Sequence, residues 1–223
     1  MNLETVPRRS TLAAEIADRL RAQIMSGTWP VGDRIPTESE LAAQLGTARN
    51  TIREAVRALA YTGLLEIRQG SGTYVTATSE LAAVMQRRFA NTPLRDVNEF
   101  RAALESTAAG LAATRRTTAD LRRLERALTR RDQHWKEGDA ARFADADATF
   151  HLTVVAAAHN QVITELYADL RTVVRDRIAT ELSGNLRPDK YVDHNRLVEA
   201  IRDKNVGRAV TEAAAHPHSW NRR

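Results

Sequence analysis

The hydrophobic positions of this chain predict helix almost throughout, with one short β interval. Ala13, Ile16, Leu20 and Ile24 recur three to four apart and form the apolar face of a first helix. Ser10 or Thr11 is placed to cap it and Gly27 to stop it. WPVGDRIP reads as a loop, because Gly32 and two prolines interrupt any helix. Thr37 followed by Glu38 and Glu40 has the form of an N-cap with acidic residues in the first turn, and the helix ELAAQLG ends at Gly46. A third helix is expected from about Arg49 to Tyr61, with Ile52, Ala55, Val56 and Leu59 on one face. Leu64–Arg68 and Thr73–Thr76 then read as two short strands around a Gln-Gly-Ser-Gly tip. From about residue 94 the pattern is helical to the end.

Helix, helix-turn-helix and β-hairpin in that order predict a winged helix-turn-helix over residues 1–76. Residues 77–93 read as a linker with some helical character, and 94–223 as an all-helical bundle. The expected fold class is therefore mainly α, with a small β-hairpin wing. In the bundle, Val97, Phe100, Leu104, Ala108 and Leu111 form one apolar face. Leu121, Leu124, Leu128 and Trp135 form a second, and Phe143, Phe150, Val154 and Ala158 a third.

Polar residues interrupt two kinds of surface. On the third helix, Arg49, Arg53 and Arg57 follow at steps of four beside the apolar face, with Asn50 and Thr51 near its start. Arginine at the start of such a helix suits the major groove, where its fork matches the two acceptors of guanine. Taken alone, the stripe reads sooner as a solvated helix face, and the order of elements around it is what favours DNA. In the bundle, Asp147 and His151 stand four apart on the stripe of Phe143, Phe150 and Val154. His194 is in phase with Leu197, Val198 and Ile201, and His216 with Val206, Ala209, Val210 and Ala213. A buried carboxylate or imidazole without a partner costs several kcal/mol, roughly. Each histidine alone reads as a core residue bonded to a neighbour, but the four together could share one metal ion. Nitrogen and oxygen ligands without sulfur suit Zn²⁺ or Ni²⁺.

Composition changes this picture little. The 223 residues carry a net charge of +5, with 43% hydrophobic and 27% charged residues. Residues 1–76 hold nine arginines against eight carboxylates, a net of +1, so bulk charge does not mark the head as a nucleic-acid binder. Cysteine is absent, which excludes disulfides and thiolate metal sites. With no long apolar run and no apolar leader at the N-terminus, the expected location is the cytoplasm.

The run GDRIPTESELAAQLGTARNTIREAVRALAYTGLLEIRQGSGTYV closely resembles the GntR-type winged-helix regulators, over about residues 10–76. The resemblance implies DNA contacts from Arg34, Arg49 and Arg53 and a wing around Gly70 that reaches the minor groove. The full expected set is Arg34, Thr47, Arg49, Asn50, Thr51, Arg53, Gln69 and Gly70. The second half is similar to the FadR branch with its FCD ligand-binding domain, over about residues 94–216. The residues that carry this are Arg101, the Glu-x-x-Ala-Ala run from Glu105, the Asp-x-x-Phe-His run from Asp147, and two later histidines. It implies a divalent metal held by Asp147, His151, His194 and His216, and a small carboxylate effector. Pro217 after His216 departs from the pattern and leaves His218 as a rival fourth ligand. Arg101 is the candidate effector clamp, or else an exposed pair with Glu105. Arg171, Arg175 and Arg177 are further candidates. His134 reads as a surface residue and His159 as a helix end.

The expected protein is a homodimeric, ligand-responsive DNA-binding regulator, a repressor rather than an enzyme. Two other functions fit the residue types: a metal-dependent hydrolase, and an architectural DNA binder whose metal is purely structural.

Overall fold

The computed structural model describes residues 12–182, 186–188 and 191–219, the side chains at 181 and 216–219 excepted. The chain divides into two compact units, residues 1–84 and 85–223. Ser10 and Thr11, the expected caps of the first helix, lie outside the described residues.

In the first unit, α1 (Leu12–Met25) buries Ile16, Leu20 and Ile24 on the stripe expected from their spacing. α2 (Glu38–Leu45) opens on a reciprocal capping box. Glu40 N–H donates to Thr37 Oγ1, and the Glu40 carboxylate accepts from Thr37 N–H at 2.7 Å. It closes on Gly46, whose φ of +61° is left-handed. α3 (Arg49–Thr62) follows, then β1 (Leu65–Arg68) and β2 (Gly72–Val75), paired antiparallel with Leu65 opposite Val75 and Arg68 opposite Gly72. The strands are shifted from the expected bounds at three of their four ends: the ladder takes in Gly72 opposite Arg68 and ends at the Leu65–Val75 pair. Ile52, Leu59, Leu64 and Val75 join the α1 stripe in one core.

α4 (Glu80–Phe89) lies within the segment read as a linker, and the unit boundary falls inside it. Within the second unit, Arg177 donates to the carbonyls of Phe89, Ala90 and Thr92 and so holds the C-terminal end of α4.

Among the described residues, that unit holds the end of α4 and six further helices: α5 (Leu94–Arg115), α6 (Thr118–Glu137), α7 (Ala140–Ala156), α8 (Gln161–Leu182), α9 (Asn195–Arg202) and α10 (Val206–Ser219). None is long and apolar enough to cross a membrane. α7 is central: Phe143 and Val155 enter one core with Tyr167 and Leu170 of α8, and Phe150 and Val154 enter another with Leu197 and Ile201 of α9.

On α5, Val97, Leu104, Ala108 and Leu111 pack into the core as expected, and one member of that face departs. Phe100, placed on the apolar stripe of α5, is 38% exposed and packs against Phe89, while Asn98, Arg101 and Glu105 are buried. Arg101 and Glu105 pair with each other one turn apart on α5, Asp147 of α7 stands 3.8 Å from Arg101, and alanines 108, 109, 112 and 113 complete the face. Val206 and Val210 are likewise partly exposed, although Ala209 and Ala213 are buried.

The start of α6 is braced from a distance. Buried Asp120 accepts from Thr117 N–H and Oγ1 at 2.7 Å and pairs with His159 Nε2 at 2.8 Å and with Arg123. Burial alone would raise its pKa, but bonds from Thr117, His159 and Arg123 hold it well below the usual carboxylate range. Such a group stabilises the fold above its unfolded pKa of about 3.9 and loses that contribution as pH falls further. Asp120→Asn should cost about 2 kcal/mol at pH 7. Urea midpoints of wild type and variant should stay apart down to about pH 4 and converge only below it, as pH falls toward the depressed folded pKa, and a gap that stays constant throughout that fall would contradict this account.

Candidate functional site

The first site is the exposed end of α3. Ala48 gives it no side-chain cap, and its first turn has no acidic residue. Instead Arg49 and Asn50 stand exposed, Thr51 and Arg53 half-buried, and Thr47 half-buried in the preceding turn. An uncapped, cationic N-terminus is unfavourable by itself and favourable toward an anion. Glu38 of α2 answers both arginines: its Oε2 accepts from Arg49 Nε and Arg53 Nε, each at 3.2 Å. Gln69 and Gly70 are exposed at the hairpin tip, where Gly70 takes φ +73°. Arg34 bridges to Tyr74 of β2 and lies across Gly72. A Cβ at Gly72 would come within 2.5 Å of Arg34 Nε, so a larger residue there would make that arginine swing aside, and its φ of +129° also favours glycine.

The second site lies between α5, α6, α7 and the segment before α9. Asp147, His151 and His194 are all buried, and one ligand atom from each lies within 4.8 Å of the others. His194 is not inside α9 but at its N-cap, with φ −104°. His194 Nδ1 donates to the Val192 carbonyl at 2.8 Å, and His151 Nδ1 faces Glu105 Oε2 at 2.9 Å. With a proton on each Nδ1, the two Nε2 atoms present lone pairs to each other across 3.1 Å. Asp147 Oδ2, 3.7 Å from His151 Nε2, is buried without a hydrogen-bond partner. Two ligands of a tetrahedral ion about 2.05 Å from each would stand roughly 3.3 Å apart, so these spacings fit a shared divalent cation. The backs of both imidazoles are held as metal-ligating histidines usually are, by a carboxylate and a backbone carbonyl. His216 lies on α10, but its side chain and that of His218 are outside the described residues.

Charged residues enclose this trio. Arg131, wholly buried on α6, reaches Asp147 Oδ1 at 2.5 Å, Asp132 at 2.9 Å and the Val192 carbonyl at 3.1 Å. Arg101 pairs with Glu105, which also accepts from Tyr167, and stands 3.8 Å from Asp147 Oδ2. Burial pushes both acids toward neutrality, but Arg101 and then His151 hold Glu105 down to about 2. Arg131, with His151 and Arg101, keeps Asp147 below its ordinary value. Burial and the Glu105 charge push the Tyr167 hydroxyl well up, so it stays a donor.

The Arg101–Glu105 pair is thus inward, 3% and 1% exposed. Arg101 also borders a cleft with Asn98, Val174 and Arg177 of only about 10 Å³, no more than one water's space. Asn98 Nδ2 is buried there without a hydrogen-bond partner. Arg171 pairs with Asp145, and Arg175 with Asp176. His134 is half-buried and bonded to Glu137 rather than free at the surface, and His159 caps Asp120 across the fold. Arg131, Tyr167 and the Glu105–His151 contact escaped the sequence reading. Arg131 did leave a signal, since it is in phase with Leu124, Leu128 and Trp135 on α6.

Comparison with known proteins finds a family match for each half of the chain. Residues 12–75 match the family described as bacterial regulatory proteins, gntR family, and residues 96–218 match the FCD domain. The galactonate operon transcriptional repressor of Escherichia coli is 30% identical over 206 residues, covering 87% of this chain and 88% of that protein. The Uxu operon regulator of Haemophilus influenzae is 28% identical, covering 93% and 79%. Among solved structures, Streptococcus agalactiae GntR aligns with a TM-score of 0.54 at 30% identity, over 93% of this chain and 98% of that one.

Proposed function

We propose, from the premise that this chain belongs to the GntR family of bacterial regulators and carries its FCD domain, that it is a repressor released from its operator by a small organic acid bound beside a divalent metal. Residues 1–76 are the DNA-binding domain, 77–93 the linker and 94–223 the effector and dimerisation domain. A homodimer then offers two heads to a palindromic operator. Arg49 and Arg53, with Thr47, Asn50 and Thr51, enter the major groove. Arg34, Gln69 and Gly70 bring the wing to the minor groove and its phosphates.

Asp147, His151 and His194 hold the metal, and His216 completes the set. The observation that carries this is the pair of imidazole Nε2 atoms facing each other at 3.1 Å beside the unpartnered Asp147 Oδ2. Zn²⁺ or Ni²⁺ suits these donors, and when bound it supplies an open position for a carboxylate oxygen. Arg101 and Arg131 already neutralise Glu105 and Asp147, so two further positive charges in this enclosed site favour an anionic ligand. The acid opens the narrow cleft at Arg101 and Arg177. Because Arg177 holds the end of α4, that opening shifts the linker and the spacing of the heads.

The test is operator binding by the metal-loaded protein, using duplexes selected from a random library and a panel of hydroxy and sugar acids. The name of the galactonate operon repressor supports including sugar acids. One or more acids should weaken binding about 5- to 150-fold, and chelation should abolish the response. Identical affinity with every acid would remove the effector reading.

A further inference from the structure

Resting on the DNA face proposed above, we infer that Glu38 is a positioning residue that aims Arg49 and Arg53 at base edges. Glu38 is the first residue of α2, where the helix dipole favours a carboxylate. The arginines stand one turn apart on α3, and a single oxygen of Glu38 accepts from the Nε of each. Bonding at Nε leaves Nη1 and Nη2 of each arginine as a terminal fork, the part that matches guanine O6 and N7. An untethered arginine must surrender much rotamer freedom to dock, and Glu38 removes part of it before DNA arrives. It also supplies the negative charge that the first turn of α3 lacks.

The same carboxylate carries a cost. It stands at the face that approaches phosphates and repels any duplex, whatever its sequence. Glu38 therefore raises discrimination between sequences and lowers affinity for DNA in general. A residue that only supported the fold would move both in the same direction.

The experiment selects binding sites from a random-sequence duplex library with the full-length wild type and with Glu38→Ala, Glu38→Gln, Arg49→Ala and Arg53→Ala. Each arginine variant should blur the positions it reads. Glu38→Ala should blur both sets, with about tenfold less discrimination at those bases. Its affinity for a random-sequence duplex should rise about two- to fivefold at fixed salt. Glu38→Gln keeps an oxygen acceptor and should recover most of the discrimination. A Glu38→Ala motif as sharp as the wild type's, beside blurred arginine variants, overturns the inference alone. So does a parallel loss of operator and random-sequence binding, which marks a structural role. Unchanged motifs in both arginine variants overturn the DNA face and the inference with it.

Discussion

Replacing Arg131 with methionine is expected to cost the second unit about 3–5 kcal/mol, because it leaves a buried charge without its main partner. Arg131 fills its site with a planar fork: Nε on Asp147, Nη1 on Asp132 and Nη2 on the Val192 carbonyl, with Phe143 and Tyr191 rings 4.8 and 5.4 Å from its centre. Methionine restores the volume and none of the charge. Asp147 would retain Arg101 at 3.8 Å, too far for a hydrogen bond. Lysine, which keeps the charge but not the fork, should fall between the two. Urea midpoints in chelator measure the effect without contribution from metal. Adding Asp147→Asn to Arg131→Met should recover a large part of the loss, since the stranded charge is then gone. A methionine variant within about 1 kcal/mol of wild type would mean that the pair does not hold this core together.

The second large effect is expected at His151. Purified wild type should carry about one divalent ion per chain, and His151→Ala should bind it at least 100-fold more weakly. Metal at 100 times its dissociation constant stabilises a folded protein by about 2.7 kcal/mol, so chelation should lower the wild-type melting temperature by several degrees. The variant should melt at the same temperature with and without chelator. In chelator the gap between the two proteins should narrow, because alanine removes one of two lone pairs that oppose each other across 3.1 Å. Full metal content in His151→Ala would place the ion elsewhere. The effector response should vanish with the metal, which separates a sensing role from a purely structural one.

Much of this protein follows from short-range chemistry. The Thr37 box, the left-handed Gly46 and the hairpin tip at Gly70 depend on neighbours within a few residues, and the sequence anticipates each of them. The buried stripes of α1 and α3 follow equally from helical period, since each is an apolar face against one core, and the inward positions of α7 keep that period although they divide between two cores. Arg49 and Arg53 could be placed on α3, and Asp147 and His151 on one face of α7, for the same reason.

What the sequence determined by itself, then, is each element and the side on which its chemistry sits. Only the tertiary structure decided which sides meet. Hydrophobic phase turned Phe100 inward, but α5 leaves it partly exposed and buries Arg101 and Glu105, a pair one turn apart on the same helix whose opposite charges offset each other's cost of burial beside Asp147 of α7. Arg131 could not be matched to Asp147 across 16 residues by period, nor Glu38 to the two arginines it holds. Such pairs join separate elements, and the rotation of one helix about its axis says nothing about the distance or partner of the next. The meeting of His151 with His194, 43 positions later and outside a helix, is of the same kind.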